Sequence, residues 1–149
     1  MLTAASLVAT AAAGGTPSHR DGAWEGACRA QVRHDVLPVW MRAGFSGPRP
    51  RIPYVLGERG TIGAVLFGSP LNAPPAAKHN NKILWVPRRF PKTVAPLWIR
   101  LQLMDGDRAV GAPFRKIVAN GPGPSIVDAP SAGCWRLTLT WSVSATRST

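Results

Sequence analysis

Two stretches of this chain alternate with a period of two, and they limit the fold more than any other feature. In residues 97–103, Leu97, Ile99, Leu101 and Leu103 fall on one side, with Trp98, Arg100 and Gln102 on the other. Residues 133–141 repeat the pattern, with Trp135, Leu137, Leu139 and Trp141 set against Arg136, Thr138 and Thr140. Side chains of a strand point alternately to opposite faces, so each stretch reads as a strand with one face buried. No segment beyond residue 14 sustains the 3.6-residue period of a helix. Residues 61–67, 82–86 and 125–127 are shorter strand candidates, and residues 108–118 read as a weaker one interrupted at Pro113. Asp105-Gly106-Asp107 signals a hairpin turn and Gly121-Pro122-Gly123-Pro124 a loop. With 15 Gly and 15 Pro among 149 residues the turns are dense. Short strands between turn signals, in a chain with room for one domain, predict a single all-β antiparallel β-sandwich.

The chain divides into four parts. Residues 1–13 are uncharged and apolar or small, and Ala11-Ala12-Ala13 fits the small-x-small cleavage pattern of a secretory signal peptide. They lack the positive n-region of such a signal, and an Ala-rich, unstructured terminus is the alternative. Residues 14–50 read as irregular, broken by Pro17, Pro38, Pro48 and Pro50, with a short edge strand at the apolar cluster 36–41. Residues 51–141 carry the sandwich core, in which Trp85, Trp135 and Trp141 are expected as anchors. Residues 142–149 form a polar tail, truncated or frayed, that offers a neighbouring strand little to bury. No apolar run approaches the roughly 20 residues of a membrane-spanning helix, which argues against a transmembrane anchor.

The two cysteines, Cys28 and Cys134, form one disulfide if the chain reaches an oxidising compartment, and stay buried thiols if it remains in the cytoplasm. Two distant cysteines without paired histidines do not supply the four ligands of a metal site.

Asn81-Lys82-Ile83-Leu84-Trp85, Pro96-Leu97-Trp98-Ile99, Gly123-Pro124-Ser125 and Gly133-Cys134-Trp135-Arg136-Leu137-Thr138 together resemble an uncharacterised group of exported bacterial β-sandwich proteins. These pair a Leu-Trp strand with a terminal Gly-Cys-Trp strand and carry an early cysteine. The resemblance spans residues 24–141. It implies export, to the medium or the cell envelope, and an immunoglobulin-like sandwich of about seven strands; it implies no activity and transfers no functional residues. The chain departs from the group at its tail, where a final apolar strand is expected.

Catalytic constellations are weak. The only histidines, His19, His34 and His79, fall in loop regions, and Ser125 near Asp128 lacks the Gly-x-Ser-x-Gly elbow of a hydrolase. His34 and Asp35 are adjacent on an extended segment and point to opposite faces. Asp105 and Asp107 are turn residues with too few oxygen ligands around them for calcium. Nothing calls for a cofactor.

Binding is the stronger reading. Trp98, Arg100 and Gln102 form a candidate binding face that Arg136, Thr138 and Thr140 extend if the two strands share a sheet, a setting suited to stacking a sugar ring. The competing reading buries Trp98 under a loop, such as the irregular N-terminal segment. Eighteen Lys and Arg against seven Asp and Glu give a net charge of +11. Such a surplus attracts acidic polysaccharide, anionic lipid or nucleic acid. The densest basic patch is Arg88, Arg89 and Lys92, with no nucleic-acid recognition motif beside it. The expectation is a non-catalytic module, secreted or in the cell envelope, that binds an anionic or glycan ligand or an envelope protein. A charge-driven nucleic-acid binder and a hydrolase with an unrecognised site are the alternatives, and the location becomes cytoplasmic if residues 1–13 are no signal.

Overall fold

The alternation resolves into two sheets packed face to face. The structure, a computed structural model of the chain, describes residues 2–12, Cys28 and 31–142. Nine strands occur among these: β1 (Leu2–Ala12), β2 (Tyr54–Leu56), β3 (Ile62–Leu66), β4 (Leu71–Asn72), β5 (Lys82–Pro87), β6 (Leu97–Asp105), β7 (Arg108–Val118), β8 (Pro124–Ile126) and β9 (Gly133–Ser142). One sheet has five strands in the order β4-β1-β9-β6-β7, the other four in the order β2-β3-β5-β8. Pairing is antiparallel except for a two-residue parallel contact between β1 and β4. The protein is an all-β sandwich, with β1 and the short β4 taking the count above the seven strands expected.

The interior follows the period-two pattern. Leu97, Ile99 and Leu101 of β6 and Trp135, Leu137, Leu139 and Trp141 of β9 point inward, against Val55, Ile62, Ala64, Ile83 and Trp85 of the other sheet. The three core tryptophans differ at their polar edge. Trp85 Nε1 donates to Ser125 Oγ at 2.8 Å, and Trp135 Nε1 donates to the Ser131 carbonyl at 3.0 Å. Trp141 Nε1 is buried without a partner among the described residues. Asn81, also buried, ties β4 to the segment after β8: its Nδ2 donates to the Asn72 carbonyl and to Asp128 Oδ1, and its Oδ1 accepts the Asn72 N–H.

The other face of the four-stranded sheet is covered as well. Tyr54, Val65 and Val86 lie beneath Leu37 and Met41, with Trp40, Phe45 and Ile52 packed around them. The covering segment, residues 31–53, is the irregular stretch read from its prolines. Residues 36–41 are not the edge strand expected: a 3₁₀ turn, Val39–Met41, follows Pro38. Pro38 has no N–H for a strand ladder, and its carbonyl accepts the Met41 N–H at 2.8 Å. The turn sends Leu37 and Met41 down onto the sheet and leaves Val39 in solvent. Gly63 receives Met41, because a Cβ there would collide with the Met41 thioether. Arg42 fastens the segment from within, donating from Nε to the Leu37 carbonyl at 2.7 Å and from Nη1 to the Pro48 carbonyl at 3.2 Å.

Residues 2–12, which carry the export-signal reading, form β1 and pair with β9 from Leu2↔Ser142 to Ala11↔Gly133. Leu7 is buried in the main core. β9 thus lies between β6 and β1, a strand from the N-terminal region, and the sandwich draws on residues well before position 51. Ala13, His19, Trp24 and the tail from residue 143 lie outside the described residues.

Cys28 and Cys134 form a disulfide with Cα atoms 5.8 Å apart, across a sequence separation of 106. Closing so long a loop stabilises the fold by about 4–5 kcal/mol in the chain-entropy account. Among the described residues no helix is long and apolar enough to cross a membrane.

Candidate functional site

The outer face of the five-stranded sheet is built by three adjacent strands. Trp98 of β6 lies between Thr140 of β9 and Ile117 of β7, and Arg100 lies between Thr138 and Arg115. Directly opposed residues bring their Cβ atoms within about 5.5 Å, so these six side chains form one surface. Trp98 is 48% exposed and Ile117 47%. Arg100 and Arg115 are exposed as well, and Thr138 and Thr140 are partly so. Like charges directly opposite each other on neighbouring strands destabilise a sheet. Among the described residues neither guanidinium is paired with a carboxylate, so the pair leaves a local positive potential beside the indole. The covering loop considered for Trp98 is not residues 31–53, which lie on the other sheet.

Gln102 takes a different place from the one its alternation suggests. It is only 4% exposed. The register of β6 against β7 shifts between Leu101↔Phe114 and Leu103↔Val110. Gly111, Ala112 and Pro113 thus stand opposite the single residue Gln102, and β7 arches away from its partner. Gly111, at φ +65°, adopts the left-handed conformation that the arch requires. The carbonyls released by the arch are those of Val110 and Gly111, and Gln102 Nε2 donates to them at 2.9 and 3.2 Å. Gln102 Oε1 accepts from Arg100 Nη2 at 3.2 Å. Gln102 therefore holds the arch and orients Arg100 instead of facing a ligand.

Sequence reading missed Arg115 and Ile117. They sit in the strand weakened by Pro113, where apolar and charged residues mix on both faces. Only the cross-strand register places them beside Arg100 and Trp98.

The basic patch lies elsewhere, in the connection from β5 to β6, where Arg88, Arg89 and Lys92 are all exposed. The proposed hydrolase residues do not converge. Ser125 Oγ accepts the Trp85 indole N–H, and Asp128 Oδ1 accepts from Asn81. Asp35 Oδ1 accepts the Tyr54 hydroxyl at 2.8 Å instead of orienting His34. Burial, and then this hydrogen bond and the Asp35 charge, push the Tyr54 phenol above its ordinary pKa. Asp105 accepts from Arg108 Nη2 at 3.0 Å across the exposed hairpin turn. No three His, Cys, Asp or Glu side chains among the described residues gather as metal ligands.

No family model, curated protein or solved structure matches the chain.

Proposed function

We propose that this protein is a non-catalytic, exported or envelope-associated module with an immunoglobulin-like sandwich, whose five-stranded sheet binds an acidic polysaccharide on its outer face. The observation that carries this reading is the half-exposed Trp98, flanked by Ile117 and set beside the opposed pair Arg100 and Arg115. An indole offers a flat apolar surface to a sugar ring, while two adjacent guanidinium groups match carboxylate or sulfate substituents. Thr138 and Thr140 add hydroxyls to the same surface. The Cys28–Cys134 disulfide fits an oxidising compartment.

Tryptophan fluorescence under titration with an acidic and with a neutral polysaccharide tests the proposal. The acidic polymer should shift the emission. Trp98→Ala should abolish the shift, and Arg100→Glu with Arg115→Glu should weaken binding at least tenfold. Equal responses from the wild type and Trp98→Ala would remove the face from consideration.

A further inference from the structure

The connection between β5 and β6 presents apolar side chains amid positive charge, at a place separate from the Trp98 face. Phe90 is 71% exposed and Val94 80%. They alternate along the chain with Arg88, Arg89 and Lys92 in the run Arg88-Arg89-Phe90-Pro91-Lys92-Thr93-Val94. Both feet of the loop are fixed. Arg88 N–H donates to the Thr61 carbonyl at 2.8 Å, immediately after the buried Pro87. At the other foot Gly121 packs so closely that a Cβ there would lie 2.9 Å from the Ala95 carbonyl oxygen, and Leu97 then enters the core. Phe90 and Val94 are therefore exposed on a loop whose two ends are anchored to the sandwich.

The surrounding charge has one sign over a long stretch of chain. No acidic residue lies between Glu58 and Asp105, while Arg59, Lys78, Lys82, Arg88, Arg89, Lys92 and Arg100 do. Among the described residues, the carboxylate at this end is Glu58, in the β2–β3 turn beside Arg59.

We propose that the loop of residues 88–94 docks the protein on an anionic lipid surface, with Phe90 and Val94 entering the headgroup–acyl boundary and Arg88 and Arg89 contacting lipid phosphates. The combination is what selects the lipid. Cations alone serve any polyanion, but an aliphatic Val94 standing four-fifths in water gains nothing from a phosphodiester backbone and cannot stack on a base. Burial of apolar side chains and attraction to anionic headgroups are the two contributions from which surface attachment is built. The site does not rest on the polysaccharide reading, since it uses neither Trp98 nor Arg115.

Co-sedimentation of the full chain with vesicles tests this, using phosphatidylcholine alone and phosphatidylcholine mixed with phosphatidylglycerol. The protein should bind only the mixed vesicles, and binding should fall with salt. Arg88→Glu with Arg89→Glu should abolish it, because each cation near an anionic surface contributes about fivefold in affinity. Phe90→Ser with Val94→Ser should weaken it at least tenfold with an unchanged thermal melt. In a second measurement, Val94→Cys carrying an environment-sensitive fluorophore should shift to the blue on the mixed vesicles. Absence of binding to the mixed vesicles would overturn the proposal. So would wild-type affinity in the Phe90/Val94 double variant, which leaves charge attraction alone. Binding of duplex DNA but not vesicles, lost in the Arg88/Arg89 double variant, would assign the patch to nucleic acid instead.

Discussion

On the four-stranded sheet, Tyr54, Val65 and Val86 point away from the sandwich interior and are nevertheless buried, because Leu37 and Met41 lie over them. On the five-stranded sheet, Trp98 and Ile117 also point away from the interior, and half of each stands in solvent. Both outer faces carry large apolar residues, yet among the described residues only one has a cover. The covered face has Gly63, which admits the side chain above it. The bare face has opposed arginines, whose charges any apolar cover would have to desolvate. Apolar content alone does not distinguish a packing surface from a presenting one; the residues set among the apolar ones do.

Reducing the disulfide should have the largest effect, since Cys28 fixes the chain just ahead of the covering segment to β9. A loss of about 4–5 kcal/mol is expected, read as the shift of a denaturant midpoint with and without reductant. Leu37→Ala, on the covered face, should cost about 2–5 kcal/mol, the usual range for truncating a fully buried leucine. Gln102→Ala should cost about 1–3 kcal/mol by leaving the Val110 and Gly111 carbonyls unpartnered. Faster amide exchange along the arch of β7, with β3 unaffected, would accompany it. Trp98→Ala should cost less than about 1 kcal/mol, as is usual for exposed positions. A thermal melt showing Trp98→Ala as costly as Leu37→Ala would break the comparison.

The smallest effect belongs to Tyr54, beneath the covering segment. Its phenol is raised in the folded state, first by burial and then by Asp35. The neutral form is therefore favoured on folding. Its stabilisation is complete below the unfolded pKa near 10 and is lost as pH rises through the higher folded value. Tyr54→Phe should flatten the alkaline limb of a stability–pH curve; an unchanged limb would show that the covered face opens before the phenol ionises.

What could be read from the sequence follows from how local each signal is. The strands β6 and β9, the inward tryptophans and the turn at Gly106 and Asp107 all declare themselves within a few residues. The outward position of Trp98 and Arg100 follows from the same alternation. Gln102 does not, because its burial is decided by the arch in β7, a property of register between two strands. Residues 36–41 looked strand-like from apolar content, but Pro38 and the need to lay two side chains on one sheet impose a turn. Residues 2–12 give no size alternation, being mostly Ala, Ser and Thr. Their strand identity depends on β9, at the far end of the chain. Which outer face is covered depends on where an irregular segment lands, and period-two reasoning cannot reach that.

The pairing of Leu2 with Ser142 also orders events in time. A ribosome adds roughly 5–20 residues per second, so about 6–28 seconds separate the synthesis of the first strand from that of its partner. The five-stranded sheet cannot close before β9 has been made. Through that interval the backbone donors and acceptors that β1 will give to β9 remain open, and a neighbouring nascent chain or a chaperone competes for them. Closure of this sheet thus waits for the last of its strands, and crowding on polysomes should affect its yield more than that of the four-stranded sheet, whose strands all lie within residues 54–126.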